Sequence, residues 1–272
     1  MRHELHNSLF TGLIFVGASN HEGRSMVMTI RWFALMAVLT SATLAQGQTQ
    51  ELRLVTRMMP PLVVTQQGRL SGFSIDLWNS IAQRIQASTK YHIAPDVGAL
   101  LEEVQSGKAD LGIAAISITA AREKQLDFSQ PILNSGLLIM LRSQDRSGIK
   151  GQEDLPGKRV ATTRGSTAAE FLREIKASVY EFANIRSVYN ALLDNTVDAV
   201  VFDAPVLLYY AANEGKGRVA MSGPLFHSEN YGLVFPQNSP LLKQVNDALL
   251  ALRQDGTYQQ LYDKWFSNKQ VN

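Results

Sequence analysis

The chain has 272 residues, 45% of them hydrophobic and 18% charged, with 26 basic against 24 acidic side chains. That is globular composition, long enough for one large domain or two smaller ones, and its scattered charges exclude a phosphate-tracking basic stripe; no nucleic-acid partner is expected. The lack of cysteine excludes a disulfide framework, a thiolate metal site, a cysteine nucleophile and a lipid-modified cysteine.

Met28–Gly47 has secretory-signal anatomy. Arg31 supplies the positive end, Trp32–Leu44 the short apolar run, and Ala42, Ala45 and Gly47 the small residues for cleavage after Ala45 or Gly47. The run is shorter than the roughly 20 residues of a membrane span. Initiation is expected at Met26 or Met28, with the preceding residues an extension outside the fold. The five histidines, His3, His6, His21, His92 and His227, show no metal-ligand spacing, so neither metal nor cofactor is expected.

Beyond the signal, Leu52–Thr56 reads as a strand ended by Pro60-Pro61, and a turn falls at Gln67-Gly68. Phe73 opens a helix with apolar spacing through Ile81, Ala82 and Ile85. A strand around Tyr91–Ile93, a helix over Leu100–Gln105 and a buried parallel strand over Ala109–Ala114 follow. The alternation resumes after residue 150: strand Arg159–Thr162, helix Thr167–Ala177, strand Asp198–Phe202 and helix Pro205–Ala212. The last helices, Pro240–Arg253 and Tyr258–Phe266, are split by Asp255-Gly256. Strands alternating with helices predict parallel α/β sheets.

Four segments carry a resemblance. They are Gly72-Phe73-Ser74-Ile75-Asp76-Leu77-Trp78, Ala115 to Lys124 (AISITAAREK), Leu126-Asp127-Phe128-Ser129-Gln130-Pro131, and Asp255-Gly256-Thr257-Tyr258 with Lys264-Trp265-Phe266. In this order and spacing the chain resembles the family 3 bacterial solute-binding proteins, whose fold is shared with ionotropic glutamate receptor ligand-binding domains. The resemblance implies a two-lobed α/β periplasmic-binding-protein fold of type II, the Venus flytrap, with two crossing hinge strands. Lobe 1 would be 51–138 plus 237–272, lobe 2 would be 143–231, and the hinge strands would lie near 137–142 and 232–236. It also implies a periplasmic monomer that captures a free amino acid for an inner-membrane ABC permease and is not an enzyme.

A free amino acid presents a carboxylate and an ammonium, which require a planar cation, extra donors and an opposing anion. Arg122 suits the carboxylate because guanidinium binds it bidentately and keeps its charge. The resemblance gives it that role, with Ser117 sharing the carboxylate and the Ala115 carbonyl accepting from the ammonium. Gly165-Ser166-Thr167 precedes a helix whose N-terminus attracts anions. There Thr167 and Glu170 fit a capping box, and Ser166 and Thr167 are candidate ligand contacts. Asp203 follows its strand directly and, with Ala204 expected as N-cap, is left for the ligand ammonium. Arg57 reads either as a contact to a second acidic group, making glutamate or aspartate the ligand, or as a solvated loop arginine. Ser74 departs from the acidic residue that usually follows Gly-Phe in the family. No aromatic stands at Arg57–Pro61, Leu70 or Asp96–Gly98, where several relatives wall the ligand side chain.

Two other classes compete. One is an enzyme similar to the cyclohexadienyl dehydratases, with Glu229 or His227 as its general acid or base. The other is a ligand-sensing module for a membrane receptor.

Overall fold

The computed structural model describes residues 50–266, so the expected export segment, Met28–Gly47, lies outside the described residues. Strand β1, Gln50–Thr56, turns Leu52 and Leu54 toward one apolar cluster and Val55 toward another. A strand buried on both faces belongs inside a helix-covered sheet. It pairs in parallel with β4 (Ala87–Ile93) and β5 (Leu111–Gly112). Strand β12 (Val234–Pro236) then joins antiparallel, between β5 and β6 (Leu126–Phe128), giving the order β4-β1-β5-β12-β6. A small hairpin, β2 (Val64–Gln66) and β3 (Arg69–Ser71), carries the Gln67-Gly68 turn.

Helix α1, Phe73–Arg84, buries Leu77, Trp78, Ile81 and Ala82 at helical spacing, and α2, Val97–Gln105, buries Val97 and sets Leu100 and Val104 into the second cluster. Gly72 starts α1 at φ +121°, where a Cβ would lie 2.3 Å from the Leu62 carbonyl oxygen; only glycine fits. The C-terminal helices, α7 (Leu241–Gln254) and α8 (Thr257–Phe266), return to pack on α1. There Trp265 Nε1 and Lys264 Nζ both donate to Asp76 Oδ2, at 2.8 and 2.7 Å, and Phe73 meets Phe266 at 5.0 Å.

The second sheet runs β11-β7-β10-β8-β9. Its core, β8 (Arg159–Thr163) with β9 (Ser178–Phe182) and β10 (Ala199–Asp203), is parallel. The long strands β7 (Leu133–Arg142) and β11 (Val219–Tyr231) are antiparallel additions. Helices α4 (Thr167–Glu174), α5 (Ile185–Leu193) and α6 (Ala204–Ala212) cover it. The two units repeat one device: Arg53 in β1 grips Asp110 before β5, and Arg159 in β8 grips Asp198 before β10. Each arginine uses its backbone N–H, Nε and Nη2. These pairs fix the register of neighbouring parallel strands at their entry ends.

Two sheets, each with its own helices, make a two-lobed α/β fold. The chain passes between them at 129–132 and at 232–233, flanked by the Ser117–Tyr231 bridge and the Leu133–Tyr231 pair. Residues 137–142, expected as a hinge strand, instead lie deep in the second sheet. Their continuous apolar run is buried between β10 and β11. Strand β9 and helix α5 were not anticipated, and the strand expected over Ala109–Ala114 contracts to Leu111–Gly112. Among the described residues no helix is long and apolar enough to cross a membrane, and no cluster of His, Cys, Asp and Glu could hold a metal.

Candidate functional site

The loop leaving β5 carries Ala115 and Ser117 to the sheet's carboxyl edge, where α/β sheets usually place ligands. Thr119 then caps the short helix α3 (Ala120–Glu123) by accepting from the Arg122 backbone N–H. This cap turns Arg122 back over the loop, where Nη1 donates to the Ser117 carbonyl oxygen at 2.8 Å. Nη2 donates at 3.2 Å to the carbonyl of Gly165, in the other lobe. Two of the five guanidinium N–H groups are thereby engaged, and three remain for an anion.

In the second lobe the cap of α4 is Ser166, where Thr167 was expected. Ser166 Oγ accepts from the Ala169 N–H at 3.2 Å and donates to the Thr163 carbonyl at 2.7 Å, and Thr167 is the first helical residue. With both hydroxyl functions engaged, Ser166 has little side-chain capacity for a ligand, whereas Thr167 stands at the helix N-terminus with no cap to make. Gly165, at φ +69°, passes Val97 and Gly98 of the first lobe so closely that a Cβ would touch both. Asp203, where Ala204 was expected, is the N-cap of α6, yet its side chain makes no cap bond.

These residues converge. Arg57, Ala115, Ser117, Arg122, Ser166, Thr167 and Asp203 line a single narrow cavity, joined by Val97 and Phe202. Its ionisable walls are two arginines, Arg57 and Arg122, against one carboxylic acid, Asp203. Arg57 is 4% exposed, so it is not a solvated loop side chain, and its Nε has no hydrogen-bond partner. Burial pulls its guanidinium down to about 10, with Asp203 opposing and Arg122 adding, and it stays charged at neutral pH. Burial lowers Arg122 likewise, against the fields of Glu170, Glu229 and Asp203. Burial, reinforced by Glu229, pushes the Asp203 carboxyl up to about 8, while Arg57, the Tyr231 hydroxyl and Arg122 pull it back. Such charges, held out of water without full partners, favour a ligand that completes them.

Residues 52–268 match the family model described as bacterial extracellular solute-binding proteins, family 3. The chain belongs to that family. This solute-binding protein is 32% identical over 204 residues, 73% of each chain, to the ABC transporter glutamine-binding protein GlnH of Bacillus subtilis strain 168. It is 53% identical, at a TM-score of 0.75, to the GluR0 ligand-binding core from Nostoc punctiforme solved with L-glutamate, covering 80% of this chain and 100% of that one. It also resembles an ancestral amino acid-binding protein, AncCDT-1, a precursor of cyclohexadienyl dehydratase, at 30% identity and a TM-score of 0.72 over 79% and 95% of the two chains. The architecture is the type II periplasmic-binding-protein fold.

Two residues of the solute-binding protein's site, Phe202 and Tyr231, are not marked by the sequence. Phe202 provides a cavity aromatic from β10, outside Arg57–Pro61, Leu70 and Asp96–Gly98. Tyr231 is buried at the crossing, its hydroxyl without a hydrogen-bond partner and within the field of Asp203. Glu229 and His227, weighed as acid or base candidates, are not among the cavity-lining residues; Glu229 lies behind Ser117. Alternation along β11 could have pointed to Glu229 and Tyr231, two residues apart and therefore on one face.

Proposed function

We propose that the protein captures a free α-amino acid between its lobes for delivery to an inner-membrane ABC permease, and that it acts by binding without catalysis. The observation that carries this reading is the opposition of Arg122 and Asp203, from different lobes, across one cavity. A carboxylate at Arg122 and the α4 N-terminus, with an ammonium at Asp203, tie the lobes together, so ligand energy favours the closed form. The names of GlnH and other relatives point the same way. The expected export signal at Met28–Gly47 and the extracellular habit of the family support a periplasmic location.

The ligand's side chain is acidic in this reading, glutamate before aspartate. Buried Arg57 stands with Arg122, so once Asp203 ionises against the ligand ammonium the cavity wall carries +1, the complement of an amino acid carrying −1, and the Nostoc ligand-binding core was solved with L-glutamate. The enzyme reading receives support from the AncCDT-1 likeness, but its acid and base candidates stand outside the cavity lining.

The test is a thermal-shift screen of the mature protein, residues 48–272, refolded to strip ligand, against the twenty amino acids, prephenate, arogenate and simple dicarboxylates. A ligand that binds only the folded state raises Tm by mass action. L-glutamate is expected to give the largest shift. Silence from every amino acid with a response to prephenate or arogenate would replace this reading by the enzyme.

A further inference from the structure

Ser117 Oγ lies 2.6 Å from Glu229 Oε2, and both groups are buried. A carboxylate accepts hydrogen bonds and donates none, and a hydroxyl has one hydrogen. Ser117 therefore spends its proton on Glu229 and turns only lone pairs toward the cavity it lines. The resemblance assigned this hydroxyl to the ligand carboxylate; an acceptor cannot serve that group, but it can serve an ammonium.

The placement of Glu229 follows from register. Ser117 bridges Tyr231, the Ile118 N–H donates to the Asn230 carbonyl at 2.8 Å, and Glu229 pairs with Ser135. These bonds hold β11 beside the loop from β5, so Glu229 reaches Ser117 across 112 residues of chain. Its side chain is 4% exposed. Its second oxygen, Oε1, has no hydrogen-bond partner, and the nearest cation candidate, His227 Nε2, stands 4.0 Å away. A buried carboxylate so incompletely satisfied is costly and calls for an explanation. Its field also reaches Asp203, whose carboxyl it helps to raise.

We propose that Glu229 is a specificity-determining positioning residue of the amino-acid site: by holding Ser117 as an acceptor, it makes the cavity demand an ammonium. The inference rests on the proposed function. Asp203, the Ser117 lone pairs and the Ala115 carbonyl then form an acceptor set that a ligand without N–H groups leaves unpaired. Sites built to hydrogen-bond one group reject analogues lacking it far more strongly than pockets that sense shape alone. Glutamine at position 229 can donate its amide N–H to Ser117, which frees the hydroxyl proton to point into the cavity and reverses the polarity.

The experiment is calorimetric titration of the stripped mature protein with L-glutamate and with glutarate, the same dicarboxylate skeleton without the ammonium. The readout is the ratio of the two affinities. Glu229→Gln is expected to lower that ratio at least about 10-fold, Ser117→Ala to lower it similarly, and the double variant to add little. Glu229→Asp keeps the charge but, one methylene shorter, cannot reach Ser117 from the same backbone. It should lower the ratio too, and it carries the test should Glu229→Gln fail to fold. A purely structural Glu229 would weaken both ligands equally, and an unmoved ratio in the folded variants overturns the inference while leaving the amino-acid reading intact. Wild-type protein that takes up no L-glutamate overturns the acidic-ligand reading and this inference together.

Discussion

The Arg122 guanidinium donates to the carbonyl oxygen of Gly165 at 3.2 Å, so a side chain of the first lobe is hydrogen-bonded to the loop that launches α4 in the second. One donor set therefore serves two purposes. The N–H facing Gly165 helps hold the lobes together, another is held by the Ser117 carbonyl, and Arg122 lines the cavity with Ser166 and Thr167 of the α4 N-terminus. Carboxylate binding and lobe closure act on the same guanidinium.

Arg122→Ala should accordingly remove binding, costing about 2–5 kcal/mol, the range for truncating one partner of a buried hydrogen-bonded charge pair. The Tm of the ligand-free variant should stay near the wild-type value, because the guanidinium itself carries a desolvation cost. Calorimetry and a melting curve check the two halves separately. A large fall in Tm with binding retained would make Arg122 a structural residue.

Gly72→Ala probes the fold apart from the site. A Cβ placed 2.3 Å from the Leu62 carbonyl oxygen, on a backbone at φ +121°, forces the start of α1 away from the Pro61–Leu62 backbone. Strain and clash together should cost about 2–4 kcal/mol. Urea unfolding measures it; a loss under about 1 kcal/mol would mean that α1 can begin another way.

Local signals made much of this legible in the sequence. Strand-to-helix alternation gives the parallel core of each sheet, Asp203 ends a strand, and Arg122 lies in the short helix that follows one. The missing parts depend on distance or on near-equivalent neighbours. Ser166 and Thr167 both carry hydroxyls, and only the backbone decides which one caps α4. Strand β12 is three residues long and owes its antiparallel place to β5 and β6, which lie far earlier in the chain. Glu229 looks like an ordinary strand acid until β11 is laid beside Ser117.

Arg57→Gln tests ligand charge. If the buried guanidinium complements an acidic side chain, the variant should lose about 100-fold in L-glutamate affinity and much less for L-glutamine, narrowing the preference. Competition titrations with both ligands measure this. Equal losses would show that Arg57 packs the cavity without reading the side chain.

The last prediction concerns pH and Asp203. Its carboxyl sits near 8 in the folded, ligand-free protein because burial and Glu229 disfavour the charge, whereas in the unfolded chain it titrates near 3.8. Between those values the unfolded chain releases this proton and the folded chain retains it. The group's contribution is therefore fully present below about pH 4, declines by up to about 1.4 kcal/mol per pH unit as pH rises, and is lost once pH passes about 8. An asparagine side chain cannot ionise in either state. The difference in unfolding free energy, Asp203→Asn minus wild type, should thus grow in favour of the variant from about pH 4.5 to about pH 8. Urea unfolding of stripped protein at those two pH values, and at one between them, reads that slope. The same substitution should weaken L-glutamate far more than glutarate, since the ammonium loses its anion. A flat difference across pH would mean that Asp203 ionises freely in the folded cleft, and the ammonium would then meet a carboxylate already charged.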